Sequence, residues 1–276
     1  MDPKQLIRHI YKKRAAWSHK GQHGRLLIIG GSYLYTGSPI FNTLAAYRSG
    51  CDIVKIAAPE KAALTIRSYS PDMIAYPLKG DYLAKKHVRQ IIDLQKASDA
   101  MIIGGGLGRE KQTMEAVKSI IRKTTIPTVI DADALYAINF PLNKNFVLTP
   151  HTKEFYALSK RKIGNNIKQR SAAAKQLAAR LDCIVLLKGH VDVIADCIHT
   201  EINKTGCPEM AKAGTGDTLA GICGAMLARH VDPFKAACVA AFINGRAGQL
   251  AAKKYGQGMK ASDLAEEISN VIRRSG

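Results

Sequence analysis

A chain of 276 residues, 46% hydrophobic and 6% aromatic with six scattered cysteines, is long enough to bury a large core without disulfides. Its 41 lysines and arginines against 22 acids leave a formal net charge of +19, yet the positive residues are dispersed and stacking platforms are few, so nucleic acid is not expected as the main partner. No apolar run reaches the roughly 18 residues of a membrane span, and residues 1–20 lack the apolar centre of a secretory leader, so a cytoplasmic protein is expected.

The first strand-length apolar run is residues 26–29, followed by 53–57, 100–103, 128–130, 146–148 and 183–187, each suited to a strand buried on both faces. Between them, residues 83–96, 111–122 and 167–181 carry apolar positions at helical spacing. Residues 191–198 read as a strand pair, and helices follow near 216–229, 234–253 and 261–273. Such alternation predicts an α/β fold with a mostly parallel central sheet flanked by helices on both faces. With no linker, low-complexity segment or internal repeat, a single domain over 1–276 is expected. The cysteines form no Cys-x-x-Cys pair, so buried hydrophobic roles in a reducing compartment are expected, and no structural zinc or other metal site is identified.

Ligands of open parallel sheets bind beyond the carboxyl ends of the strands, and that is where the unusual loops fall. Gly30-Gly31-Ser32, Gly104 to Gly108, Asp131-Ala132-Asp133, Thr149-Pro150-His151 and Lys188-Gly189-His190 each follow a predicted strand. The glycine cluster lacks Gly-x-Gly-x-x-Gly spacing, which disfavours a redox dinucleotide site; it is either a close approach to a ligand or a structural turn. His151 either bonds a ligand or caps the next helix, and Glu154 reads better as its capping partner than as a catalyst. Asp131 and Asp133 either orient magnesium or a nucleotide, or, for Asp133, cap a helix at Ala134-Leu135. Lys188 is either a phosphate-binding point charge or a solvated surface lysine.

One further element carries chemistry. In Lys212-Ala213-Gly214-Thr215-Gly216-Asp217 a small-residue turn opens a long apolar helix. Its glycines allow close backbone approach, its first N–H groups face an incoming anion, and Asp217 sits where a base is needed for a hydroxyl attacking a phosphoryl group. An ordinary N-cap turn is the alternative.

Together these loops resemble those of the ribokinase-like superfamily, and within it the NAD(P)H-hydrate dehydratases. The resemblance runs from Lys20-Gly21-Gln22-His23-Gly24-Arg25 through Gly31-Ser32, Tyr35-Thr36-Gly37-Ser38-Pro39, Gly104 to Gly108, Ile130 to Leu135, Leu148-Thr149-Pro150-His151 with Glu154, and Leu187-Lys188-Gly189, to Gly214-Thr215-Gly216-Asp217. It implies repair of NADH or NADPH hydrated at C6, through phosphorylation of the C6 hydroxyl by ADP or ATP with Mg2+ and loss of phosphate. Asp217 would be the catalytic base. Ser38, Gly106, His151 and Asp217 would bind the hydrated nicotinamide nucleotide. Lys188, Gly189, His190, Val191 and Asp192, with Gly214, Thr215 and Gly216, would bind the adenine nucleotide. Self-association as a tetramer and a separate epimerase are also implied.

The chain departs from the family pattern at Cys207 and Glu209, where Thr-Gly-Asn-x-Gly is usual, and at Ala213, Ser38, Gly105 and Asn244. These leave the phosphate donor open. Two other readings stay open as well: a small-molecule kinase of the same fold, and a basic nucleotide- or nucleic-acid-binding protein without catalysis.

Overall fold

The strands β1 (Arg25–Ile29), β2 (Ile53–Pro59), β3 (Ile74–Leu78), β4 (Ala100–Ile103), β5 (Thr128–Ile130), β6 (Phe146–Leu148), β7 (Ile184–Leu187), β8 (Asp192–Ala195) and β9 (Thr200–Asn203) hydrogen-bond into one sheet, ordered β3-β2-β1-β4-β5-β6-β7-β8-β9. This computed structural model describes residues 2–275. Pairing is parallel from β3 through β7, whereas β8 and β9 add antiparallel. Strand order reverses at β1, which lies between β2 and β4, with Ile29 in register with both Ala57 and Ile103. A crevice opens at such a reversal because the flanking loops leave in opposite directions.

Ten α-helices cover the sheet: α1 (Pro3–Ile10), α2 (Gly37–Arg48), α3 (Glu60–Tyr69), α4 (Val88–Gln95), α5 (Lys111–Lys123), α6 (Thr152–Ser159), α7 (Ile167–Leu181), α8 (Thr215–Ala228), α9 (Pro233–Tyr255) and α10 (Ala261–Ser275), as counted among the described residues. Leu26 and Ile28 of β1 pack with residues of α1, α2, α3, α8, α9 and α10 on one face. Leu27 and Ile29 pack with α4, α5, α6 and α7 on the other. The two-residue side-chain period of a strand produces this split, and each fully buried Leu or Ile contributes roughly 2 kcal/mol.

Helix α8 is the central one. All its residues from Thr218 to Ala228 are buried. A Cβ at Gly224 would lie 2.6 Å from Ile102 Cδ1, and one at Gly221 would lie 2.8 Å from Ala45 Cβ and overlap the backbone of Asn42. Glycine at these places lets α8 press onto the sheet and α2, which fixes where its first turn projects.

The α/β class and the mostly parallel sheet are as expected, with local differences. The segment 191–198 holds one strand rather than two, because the Asp196 carboxylate accepts the N–H groups of Ile198 and His199 and turns the chain before β9. The helix expected over 83–96 begins as a 3-10 turn at Lys85–His87, where the His87 ring accepts the Ala84 N–H, and becomes α-helical only at Val88. Strand β3 was missed because it lies at the edge of the sheet and contains Pro77, which cannot complete a central ladder. Cys51, Cys183, Cys223 and Cys238 are buried as expected, but Cys197 is exposed and Cys207 half-buried. No helix among the described residues is long and apolar enough to cross a membrane.

Candidate active site

The loops after β1 and β4 meet at the crevice. Gly31 N donates to Gly105 O at 2.8 Å, and Gly104 N to Ile29 O at 3.1 Å. Gly104 has φ +143°, and a side chain there would run into the Asp131 carbonyl, so the close approach of β4 and β5 requires glycine. The glycine cluster is thus a structural turn at Gly104. At Gly105 it borders the reactive groups, since a Cβ would overlap Ser38 Oγ and lie 3.0 Å from Asp217 Oδ1.

Gly214, at φ +94°, leads the chain into α8, so the first N–H groups of that helix project without helical partners. Thr215 Oγ1 donates to Lys212 O at 2.9 Å and to Met210 O at 2.8 Å, closing the turn. From α9, Asn244 brackets it: its Nδ2 donates to Thr215 O at 3.2 Å and its Oδ1 accepts from Thr218 Oγ1 at 2.8 Å. From α2, Asn42 Nδ2 donates to Asp217 O at 2.7 Å, and Ser38 Oγ donates to Asp217 Oδ1. Burial pushes the Asp217 carboxyl up to about 6, helped by the Asp131 charge and opposed by the Ser38 hydrogen bond and Lys188. Near neutral pH that group is an ionised base of unusual strength for a carboxylate.

A second cluster lies at the ends of β5, β6 and β7. Lys188 Nζ is 2.8 Å from Asp131 Oδ1 and 3.9 Å from Glu154 Oε2, and Thr149 Oγ1 donates to the same Asp131 oxygen at 2.7 Å. Burial opposes the Lys188 charge, but Asp131 and Glu154 outweigh it and raise its pKa above the ordinary value. Lys188 is therefore no solvated surface lysine. Its Nζ is 3.4 Å from where a Cβ on Gly216 would be, which places the ammonium beside the opening turn of α8.

His151 is the N-cap of α6. Its Nδ1 accepts the Lys153 and Glu154 N–H groups at 3.0 and 3.3 Å, while Glu154 Oε2 accepts the His151 N–H at 2.8 Å. Burial and the nearby Lys188 lower the His151 pKa, and because Nδ1 accepts two N–H groups the ring N–H is on Nε2, 3.4 Å from Glu154 Oε1. Asp133 caps no helix; the first position belongs to Asp131. Its carboxylate instead accepts from Gly108 N at 3.0 Å and Arg109 Nε at 2.9 Å, tying down the glycine loop.

A cavity of about 1120 Å3 opens beside these groups. Of the residues expected at the adenine nucleotide, Lys188, Gly189, His190, Asp192, Thr215 and Gly216 line it. Val191 and Gly214 are not in the lining; a Cβ on Gly214 would come 2.7 Å from Ala261 Cβ, so that glycine serves packing. Ser38 and Asp217 meet instead beside Gly105, while Gly106 packs on the loop after β1, where a Cβ would lie 3.0 Å from Tyr35 Cβ. His151 lines the large cavity with Lys188. Gly216 borders the cavity and Asp217 follows it directly in the first turn of α8, although Asp217, Ser38 and Gly106 are not themselves in the cavity lining. Sequence reasoning missed Asn42 and Arg170, and marked Asn244 only as a departure from the family pattern, without its role in bracketing the turn.

The fold and this pairing of an amide-lined turn with a buried base define a ribokinase-like α/β protein. A family model described as NAD(P)H-hydrate dehydratase matches residues 26–270. The chain belongs to that family. It is 45% identical over 264 residues to a bifunctional NAD(P)H-hydrate repair enzyme of Pyrobaculum aerophilum, covering 95% of this chain and 53% of that protein. It is 36% identical to an ADP-dependent (S)-NAD(P)H-hydrate dehydratase of Cenarchaeum symbiosum, covering 97% and 94%. The chain thus spans about half the length of the bifunctional relatives and nearly all of the single-function one. The Bacillus subtilis ADP/ATP-dependent NAD(P)H-hydrate dehydratase co-crystallised with ATP/Mg2+ superposes with a TM-score of 0.86 at 29% identity, covering 99% of this chain and 97% of that one.

Proposed function

We propose that the chain repairs hydrated NADH or NADPH, using an adenine nucleotide as phosphoryl donor and restoring the dihydronicotinamide ring. The observation that carries this reading is Asp217: a carboxylate with a raised pKa, held by Ser38 in the first turn of α8, next in the chain to Gly216 of the cavity wall.

In this reading the hydrated ring occupies the crevice beside Ser38 and Gly106, and the nucleotide lies in the cavity with its phosphates toward Lys188 and the Gly216 turn. Asp217 takes the proton of the C6 hydroxyl as its oxygen bonds to the terminal phosphorus and the bridging P–O bond breaks. The N–H groups opening α8 hold the charge that develops on the transferred group. Phosphate then leaves C6 with the C–O electron pair, the ring nitrogen lone pair replaces it, and loss of a C5 proton restores the ring double bond.

Among the described residues no three His, Cys, Asp or Glu side chains converge to hold a metal, and Asp131 and Glu154 are paired with Lys188. Magnesium fits as an ion carried on the donor's phosphates, where it would neutralise charge; such ions keep most of their ligands as water and phosphate. Self-association and a separate epimerase acting on the unreactive C6 epimer belong to the same proposal. Exposed Tyr33, Leu34 and Tyr35 beside the crevice favour self-association, which sizing by light scattering tests.

The deciding experiment incubates purified protein with hydrated NADH, Mg2+ and either ADP or ATP. Return of the reduced-ring absorbance with one phosphate released per turnover is expected. A flat trace with both donors, or a stable phosphorylated product, contradicts the proposal.

A further inference from the structure

The wall of the large cavity between Lys188 and Asp192 is braced from behind by a buried cation. Arg170, near the start of α7, is 4% exposed. Its Nη2 donates to Lys188 O at 2.9 Å, while Nε finds no partner among the described residues. A Cβ on Gly189 would lie 2.6 Å from that Nη2 and 3.3 Å from the guanidinium carbon. A side chain at Gly189 would therefore have to displace the guanidinium packed against it.

A guanidinium so placed is expensive to bury, and burial lowers its pKa despite the Asp192 charge. Asp192 is itself occupied: Oδ1 accepts from Gly189 N at 2.9 Å and Oδ2 from Asn203 Nδ2 at 3.0 Å. Asn203 also donates to Ala241 O at 3.1 Å and accepts from Thr205 N at 3.2 Å, which roots the bracket in α9 and the loop after β9. The Lys188–Asp192 turn is thus pinned at the Lys188 carbonyl by Arg170 and at the Gly189 N–H by Asp192. Both attachments act on the backbone from which Lys188 projects toward Gly216.

We propose that Arg170 is a positioning residue for the nucleotide: it fixes the Lys188–Gly189 peptide so that the Lys188 ammonium faces the phosphates, and it adds a positive charge behind the wall. This rests on the reading of the cavity as the nucleotide site. Asp192, in consequence, works as a brace of the turn.

The test compares wild type with Arg170→Met and Arg170→Lys, measuring direct binding of ADP and ATP, steady-state constants and melting temperature. Arg170→Met is expected to bind both nucleotides about tenfold more weakly, the loss typical of one hydrogen bond to a charged group. Its KM for hydrated NADH is expected to stay at the wild-type value, so that the loss falls on the nucleotide. Arg170→Lys keeps the charge without the fork and is expected to recover part of the affinity. A lowered melting temperature with unchanged nucleotide affinity in both variants would overturn the proposal, as would equal losses in kcat and in both KM values. Wild-type protein that binds neither nucleotide would instead refute the cavity's assignment.

Discussion

Ser38 and Asp217, 179 positions apart in the chain, are joined by a hydrogen bond from Oγ to Oδ1 at the reversal point of the sheet. The serine comes from the first turn of α2 and the aspartate from the first turn of α8, so the pair exists only because those helices pack face to face. The bond favours the ionised carboxylate, against a burial that raises its pKa to about 6.

Removing that donor tests the balance. In Ser38→Ala the carboxylate loses a partner of its charged form, so the acidic limb of the kcat/KM profile is expected to move up by about one pH unit. Activity well above the limb is expected to persist. An unmoved limb in a pH–rate profile would show that the serine does not set the protonation of the base.

Stability responds to the same group with the opposite sense. Because the folded-state pKa, about 6, exceeds the ordinary 3.8, folding favours the protonated form; that contribution is present below about pH 4 and disappears as pH rises through 6. Asp217→Asn, which removes the charge, is therefore expected to match wild type in acid and to exceed it above pH 6. The gain is on the order of 3 kcal/mol, since a tenfold change in proton affinity is worth about 1.4 kcal/mol. Urea unfolding at several pH values measures it, and a pH-independent difference would count against a buried charge.

Gly105 offers a steric probe. Its backbone lies outside the left-handed region, so alanine is conformationally allowed, yet the added methyl would overlap Ser38 Oγ and come 3.0 Å from Asp217 Oδ1, displacing the serine from its partner. Gly105→Ala is expected to lose at least about a hundredfold in kcat/KM, as for a misplacement near 1 Å, with an unaltered circular dichroism spectrum. Near-normal turnover would place the reacting atoms elsewhere.

At Gly221 two effects compete. Alanine gains about 1 kcal/mol of helix propensity, but its methyl would overlap the Asn42 backbone, and overpacking against main chain costs about 1–3 kcal/mol. Packing is expected to prevail, since backbone cannot rotate away, and Gly221→Ala should melt at a lower temperature than wild type. A higher melting temperature would mean that α2 and α8 can separate freely.

These relationships differ in how far the sequence foretells them. The inner strands were legible because burial on both faces leaves uninterrupted apolar runs, and the loops were legible because tight turns at strand ends need small residues. The edge strand β3, with Pro77 inside it, gave no such run. Asp217 could be singled out from its glycines, whereas the pairing of Lys188 with Asp131 depends on three strands ending side by side. Arg170 looked like one more charge in a basic helix, and only its burial against Gly189 sets it apart. Spacing showed that His151 precedes a helix, and its Nδ1 is found to cap α6; the side chain also lines the cavity, where a bond to a ligand belongs to the proposed function.

The role of Asp217 as the base is tested most directly by Asp217→Asn with hydrated NADH and a saturating donor, following phosphate release alongside nucleotide affinity. Turnover is expected to fall by at least about a thousandfold, within the range of a lost general base, while ADP and ATP bind with nearly wild-type affinity. Phosphate release at a rate within tenfold of wild type would contradict the assignment.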